Sequence, residues 1–199
     1  MKRTANGGAD NLQELPKDLP EPTDDGAADH LPGARVPPVS LMSTAGETVD
    51  LSSLPGRTVV YCYPLTGRPD RELPRGWDEI PGARGCTPQS CAFRDHHEDL
   101  RALGARVFGL STQSTGYQRE AAERLGLPYG LLSDEDLVFA EALGLPTFEA
   151  EGMVLLKRLT MVIDDGRIEK VFYPVFPPDK NAQEVIGWLR QDLARVGDG

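Results

Sequence analysis

Two of the chain's three cysteines lie five residues apart in the run Gly85-Cys86-Thr87-Pro88-Gln89-Ser90-Cys91-Ala92-Phe93-Arg94-Asp95. This run reads as a loop turning into a helix, which strongly limits what the chain around it can build. Pro88 suits a first helical turn, where its missing N–H is harmless and its φ of about −65° is already helical. Behind it Phe93, Leu100 and Leu103 recur at helical spacing until Gly104 supplies a stop. Cys86 is therefore expected at the first helical position, or one residue before it.

That placement has a chemical consequence. The unpaired N–H groups of a helix's first turn carry partial positive charge and favour an anion. A thiol there ionises more readily than a free cysteine, and the thiolate is the nucleophile. Arg84, two residues upstream, adds positive potential. Cys91 falls about 7.5 Å further along the axis and roughly 140° around it, which puts the two Cα atoms roughly 8–9 Å apart. A disulfide needs less than about 7 Å. Any bond between Cys86 and Cys91 requires the first turn to unwind.

The same run resembles the active-site segment of peroxiredoxins, specifically the bacterioferritin-comigratory (Q-type) subfamily, and the resemblance extends over roughly residues 30 to 193. It implies that Cys86 attacks a hydroperoxide to give a sulfenic acid, and that Cys91 condenses with it to an intramolecular disulfide. It implies hydrogen peroxide and small organic hydroperoxides as substrates, and a thioredoxin-type thiol system as reductant. It implies no cofactor. The chain departs from the family upstream of Cys86. Where peroxiredoxins place a Pro seven residues and a Thr or Ser three residues before that cysteine, this chain has Glu79 and Ala83. Pro64 and Thr66 resemble the displaced remains of the motif, separated from Cys86 by the Gly- and Pro-rich stretch 65–84. Thr66 folding back onto the thiolate is the arrangement to look for, and Trp77 is expected to anchor the loop rather than to cover the site.

Arg158, in Leu155-Leu156-Lys157-Arg158-Leu159, resembles the strand arginine that points at the peroxidatic sulfur in this family. A guanidinium there favours the thiolate and offers fixed donors to a peroxide oxygen. The plain alternative is an edge-strand arginine facing water. Lys157 must face the other side of the strand.

The rest of the chain supports one domain. Residues 1–37 are rich in Pro, Gly, Asp and Ala and read as a flexible or surface-strapped extension, with the domain proper at 38–199. Val39–Leu41 and Glu47–Leu51 read as a hairpin, and Arg57–Tyr63 as a buried central strand carrying Cys62 as a small buried hydrophobe. A strand at 105–111, a helix at 114–125, an extended piece at 131–134 and a helix at 137–143 follow. Then come one strand over 155–163, its hairpin partner at 167–173, and a last helix at 181–195. This order predicts an α/β fold, a mixed central sheet flanked by helices on both faces. It is also the thioredoxin-like order that the resemblance implies.

A net charge of −10 argues against nucleic acid and anionic membrane as partners. No apolar run reaches the length of a membrane span. The amino terminus has no hydrophobic region, so a secretory signal is not expected, and three cysteines without one favour a reducing compartment, by default the cytoplasm. His96 and His97 raise a zinc site with the cysteines, but side chains spread around a helix do not converge on one ion, so no metal is expected. An intramolecular partner for Cys86 makes a monomer the simplest state. Two other functions remain open on residues alone. One is a thiol–disulfide oxidoreductase, which normally shows a Cys-x-x-Cys pair absent here, and the other is a non-catalytic binding module using the 65–84 insertion.

Overall fold

The computed structural model describes residues 11–197, with side chains as far as Arg195. The first ten residues of the expected extension 1–37 lie outside the described residues. Strands β1 (Ser40–Ser43) and β2 (Thr48–Asp50) form the expected hairpin, turning at Gly46. Strand β3 (Arg57–Cys62) leads into the long loop. Helices α1 (Cys86–Asp95) and α2 (His97–Ala102), β4 (Ala105–Ser111), α3 (Thr115–Leu125), β5 (Leu131–Ser133) and α4 (Val138–Leu143) follow. The chain then runs through β6 (Thr147–Ala150), β7 (Met153–Leu156), β8 (Leu159–Asp164), β9 (Arg167–Phe172) and α5 (Asn181–Gly197).

Seven strands make one mixed sheet in the order β2-β1-β5-β4-β3-β8-β9, with β3, β4 and β5 parallel and the other pairings antiparallel. Every residue of β3 after Arg57 is buried, as befits a β-branched and aromatic strand covered on both faces. Val60 and Cys62 face a core with Leu110, Phe139 and Met161, under α4. Val59, Tyr61 and Tyr63 face the opposite core with Phe93, Leu100 and Leu189, under α1, α2 and α5. Cys62 is fully buried, and burial pushes its thiol far up, so it serves as an apolar side chain.

Two elements differ from expectation. The helix read through 86–103 breaks at His96 (φ −102°, ψ 11°), whose ring turns to the Asp99 carboxylate at 3.2 Å. Leu100 is buried from the second helix, α2. The strand read over 155–163 is two strands. β7 pairs with β6 in a small separate sheet, β8 pairs with β3 and β9, and Lys157 and Arg158 form the joint. A continuous apolar run does not tell which sheet each half joins, and β6 itself was not read from the sequence.

Residues 11–37 lie along the domain. The Arg84 Nη2 donates to the Asn11 carbonyl (3.4 Å), and Asp25 accepts from Lys157 Nζ (2.6 Å) and from the Tyr173 hydroxyl (2.7 Å). Ala28, Leu31 and Val36 are buried against the main core. Among the described residues no helix is long and apolar enough to cross a membrane.

Candidate active site

Cys86 opens α1, and the residue before it explains why the helix can start there. Gly85 is the N-cap at φ 106°, a left-handed conformation that costs little only without a Cβ. A Cβ at this position would also collide with Pro178 and Leu15. Among the described residues no side chain caps the turn, which leaves its first N–H groups to face an anion. The turn sits at the carboxyl end of β3, the end of a parallel strand at which open α/β sheets place their ligands.

Arg158, at the joint before β8, reaches the same place because β8 runs antiparallel to β3 with Leu159 opposite Cys62. Its Nη2 lies 3.1 Å from Cys86 Sγ and also donates to the carbonyls of Ala83 (3.0 Å) and Arg84 (3.3 Å). Nε donates to the Gly82 carbonyl (3.2 Å) and Nη1 to Gln89 Oε1 (2.5 Å). The carbonyl and amide partners are all neutral. Arg158 is 3% exposed, and among the described residues no carboxylate pairs with it. A buried cation without an anion is costly. Among the described residues, the one group hydrogen-bonded to it that can become an anion is the Cys86 sulfur.

The arginine is itself held from behind. Gln89 Nε2 donates to Asn181 Oδ1 (3.0 Å), which also accepts from Thr160 Oγ1 (2.6 Å), tying α1, α5 and β8 together. Sequence reasoning quoted Gln89 in the cysteine run without assigning it a role. Its spacing of three from Cys86 was the available signal, since residues i and i+3 share a helix face. Asn181 and Thr160 carry no local signal.

Cys86 is 3% exposed, so the reduced protein keeps this sulfur beneath the surface. Its thiol also donates to the Ala83 carbonyl at 3.7 Å. Cys91 differs. It is half-buried and borders a groove lined by Leu15, Pro88, His96 and Asp179, and burial raises its thiol while Arg94 opposes the shift. Both cysteines are free and the intervening helix is intact, which is the reduced arrangement.

Other expected residues fall elsewhere. Thr66 does not hydrogen-bond to Cys86. Its N–H donates to Gln113 Oε1 (2.9 Å), its carbonyl accepts from Tyr117, and its buried hydroxyl has no hydrogen-bond partner among the described residues. The backbone carbonyl of Ala83 occupies the sulfur's side instead. Arg84 directs its guanidinium to Asp78 (3.1 Å), so its positive charge is engaged away from Sγ. Trp77, 3% exposed, packs with Leu65, Ala83 and Leu155 and with the Phe148 ring at 6.1 Å, anchoring the loop. His96 pairs with Asp99, and burial pulls the His97 imidazole downward.

Comparison with known proteins turns this geometry into a family. Residues 31–186 match the Redoxin family. A chloroplastic peroxiredoxin Q of Sedum lineare is 35% identical over 160 residues, covering 79% of this chain and 77% of that protein. The chain belongs to the peroxiredoxins, in their Q (Bcp) branch. The peroxiredoxin Bcp of Escherichia coli is 32% identical, covering 80% of this chain and 95% of its own length. The crystal structure of peroxidoxin BcpB from Mycobacterium tuberculosis superposes with a TM-score of 0.65 at 28% identity, covering 81% of this chain and 98% of the other. The fold is accordingly the thioredoxin-like one, and this peroxiredoxin is a thiol-dependent peroxidase acting on peroxides with electrons from thiols.

Proposed function

We propose that Cys86 is the peroxidatic cysteine, Cys91 the resolving one and Arg158 the cation that holds the first as a thiolate. The observation that carries this reading is the Arg158 Nη2 3.1 Å from Cys86 Sγ, on a buried guanidinium whose other partners are all neutral. The thiolate attacks the distal oxygen of hydrogen peroxide or an organic hydroperoxide. An S–O bond forms, the O–O bond breaks, and the leaving hydroxide or alkoxide takes a proton. Arg158 and the uncapped N–H groups of α1 stabilise the charge moving onto oxygen. The Cys91 thiolate then attacks the sulfenic sulfur, forming the S–S bond and breaking the S–O bond, and the leaving hydroxide takes up the proton that Cys91 released and departs as water. That step requires residues 86–91 to leave the helix, because the intact geometry holds the two Cα atoms about 8–9 Å apart.

A thioredoxin-type dithiol returns two electrons by thiol–disulfide exchange. The cytoplasm, a monomeric state, no metal or cofactor, and a segment ahead of the domain at 38–199 that is anchored in the main core through Ala28, Leu31 and Val36 complete the proposal. Rapid mixing with micromolar peroxide tests it. Oxidation of Cys86 should outpace that of free cysteine by orders of magnitude and should vanish in Cys86→Ser, and a rate equal to free cysteine would refute it. The oxidoreductase alternative predicts slow reaction with peroxide and fast exchange with protein disulfides.

A further inference from the structure

The residue next to Cys91 is tied to the body of the protein by hydroxyl groups that the peroxide chemistry does not use. The Tyr61 hydroxyl on β3 lies 3.1 Å from Ser90 Oγ and 3.0 Å from the Tyr129 hydroxyl. The Tyr129 hydroxyl in turn donates to the Ser90 carbonyl at 2.8 Å. Tyr61 is fully buried on β3, which is paired on both sides with β4 and β8, so its hydroxyl cannot follow a moving helix. Ser90 is 1% exposed. Burial keeps both tyrosines protonated at any physiological pH, so the cluster does not loosen by ionisation.

We propose that Tyr61 and Tyr129 form a latch on Ser90 that sets the rate at which the helix opens for disulfide formation. They are positioning residues for the second chemical step and not for the first. The inference rests on the reading that Cys86 and Cys91 pair. Forming that disulfide closes a ring through Ser90, so the backbone at Ser90 must leave its helical conformation and release the Tyr129 hydrogen bond. The first step, attack of the Cys86 thiolate on peroxide, takes place with α1 intact and leaves the latch unbroken. The latch therefore lengthens the life of the sulfenic acid, and with it the interval in which a second peroxide can oxidise Cys86 to the sulfinic acid. The balance between resolution and over-oxidation is set by hydroxyls on β3 and on the loop before β5.

The test uses the full-length protein. Wild type, Tyr129→Phe and Ser90→Ala are mixed with peroxide, quenched at intervals by thiol alkylation, and sulfenate, disulfide and sulfinate are counted by mass spectrometry. A hydrogen bond of ordinary strength predicts that Tyr129→Phe speeds disulfide formation by roughly 2- to 13-fold. Sulfinate yield at excess peroxide should fall in step, while the rate of the first oxidation stays at the wild-type value. A merely structural role would slow both steps together. Disulfide formation in Tyr129→Phe and Ser90→Ala that is no faster than in wild type, with the first step intact, overturns the latch. A wild type that never forms the Cys86–Cys91 disulfide overturns the pairing, and the latch with it.

Discussion

The first and second turns of α1 give one kind of side chain two opposite settings. Cys86 is buried, yet it has a cation at 3.1 Å and uncapped helix N–H groups around it. Cys91 is nearer to solvent, yet its partial burial outweighs Arg94 and raises its thiol. Exposure therefore does not decide which thiol reacts. Under the proposed roles the charge that faces the sulfur does, and the difference orders the chemistry. In the proposed cycle the sulfur beside the Arg158 cation meets peroxide first, and the other waits for the helix to open.

Exchanging either thiol for a hydroxyl breaks that comparison most sharply. Cys86→Ser should abolish peroxide reduction, while Cys91→Ser should keep the first turnover and lose sustained cycling with a dithiol reductant, both followed by peroxide consumption. Removing the cation comes next. Arg158→Met should slow the first oxidation by roughly 10- to 150-fold, the worth of a hydrogen bond to a charged group, as read by stopped-flow mixing. The pH dependence of the second step sharpens the contrast. The Cys91 thiol lies above its ordinary value of 9.0, so its reactive thiolate is scarce at neutrality. Disulfide formation should climb as pH rises toward that value, by up to about tenfold per unit, and should fall as pH drops. The smallest effect is structural. Gly85→Ala forces a Cβ into a left-handed N-cap and against Pro178 and Leu15. It should cost about 1–3 kcal/mol, read as a drop of several degrees in Tm by calorimetry.

How much of this was legible in the sequence follows from where each signal resides. Gly85, Cys86 and Pro88 are neighbours whose backbone preferences act locally, so the start of α1 could be placed without knowing the rest of the fold. Arg158 was found through the family resemblance. The reason it reaches Cys86, a break between two strands that join different sheets, depends on β6, which pairs only with β7. Ala83 offers a backbone carbonyl where a threonine hydroxyl was expected, and a backbone group has no letter in a sequence. The Thr66 and Arg84 expectations failed because proximity along the chain said nothing of the partners, Gln113 and Asp78, that capture them. The hydroxyls at Ser90 come from strands and loops far from it along the chain, and no periodicity announces them.

The most direct measurement treats reduced protein with one equivalent of hydrogen peroxide and maps the products by peptide mass spectrometry. The account predicts a loss of two hydrogens in the single peptide that carries both Cys86 and Cys91, with Cys62 unmodified. A stable sulfenic or sulfinic acid on Cys91, or an untouched Cys86, would contradict it.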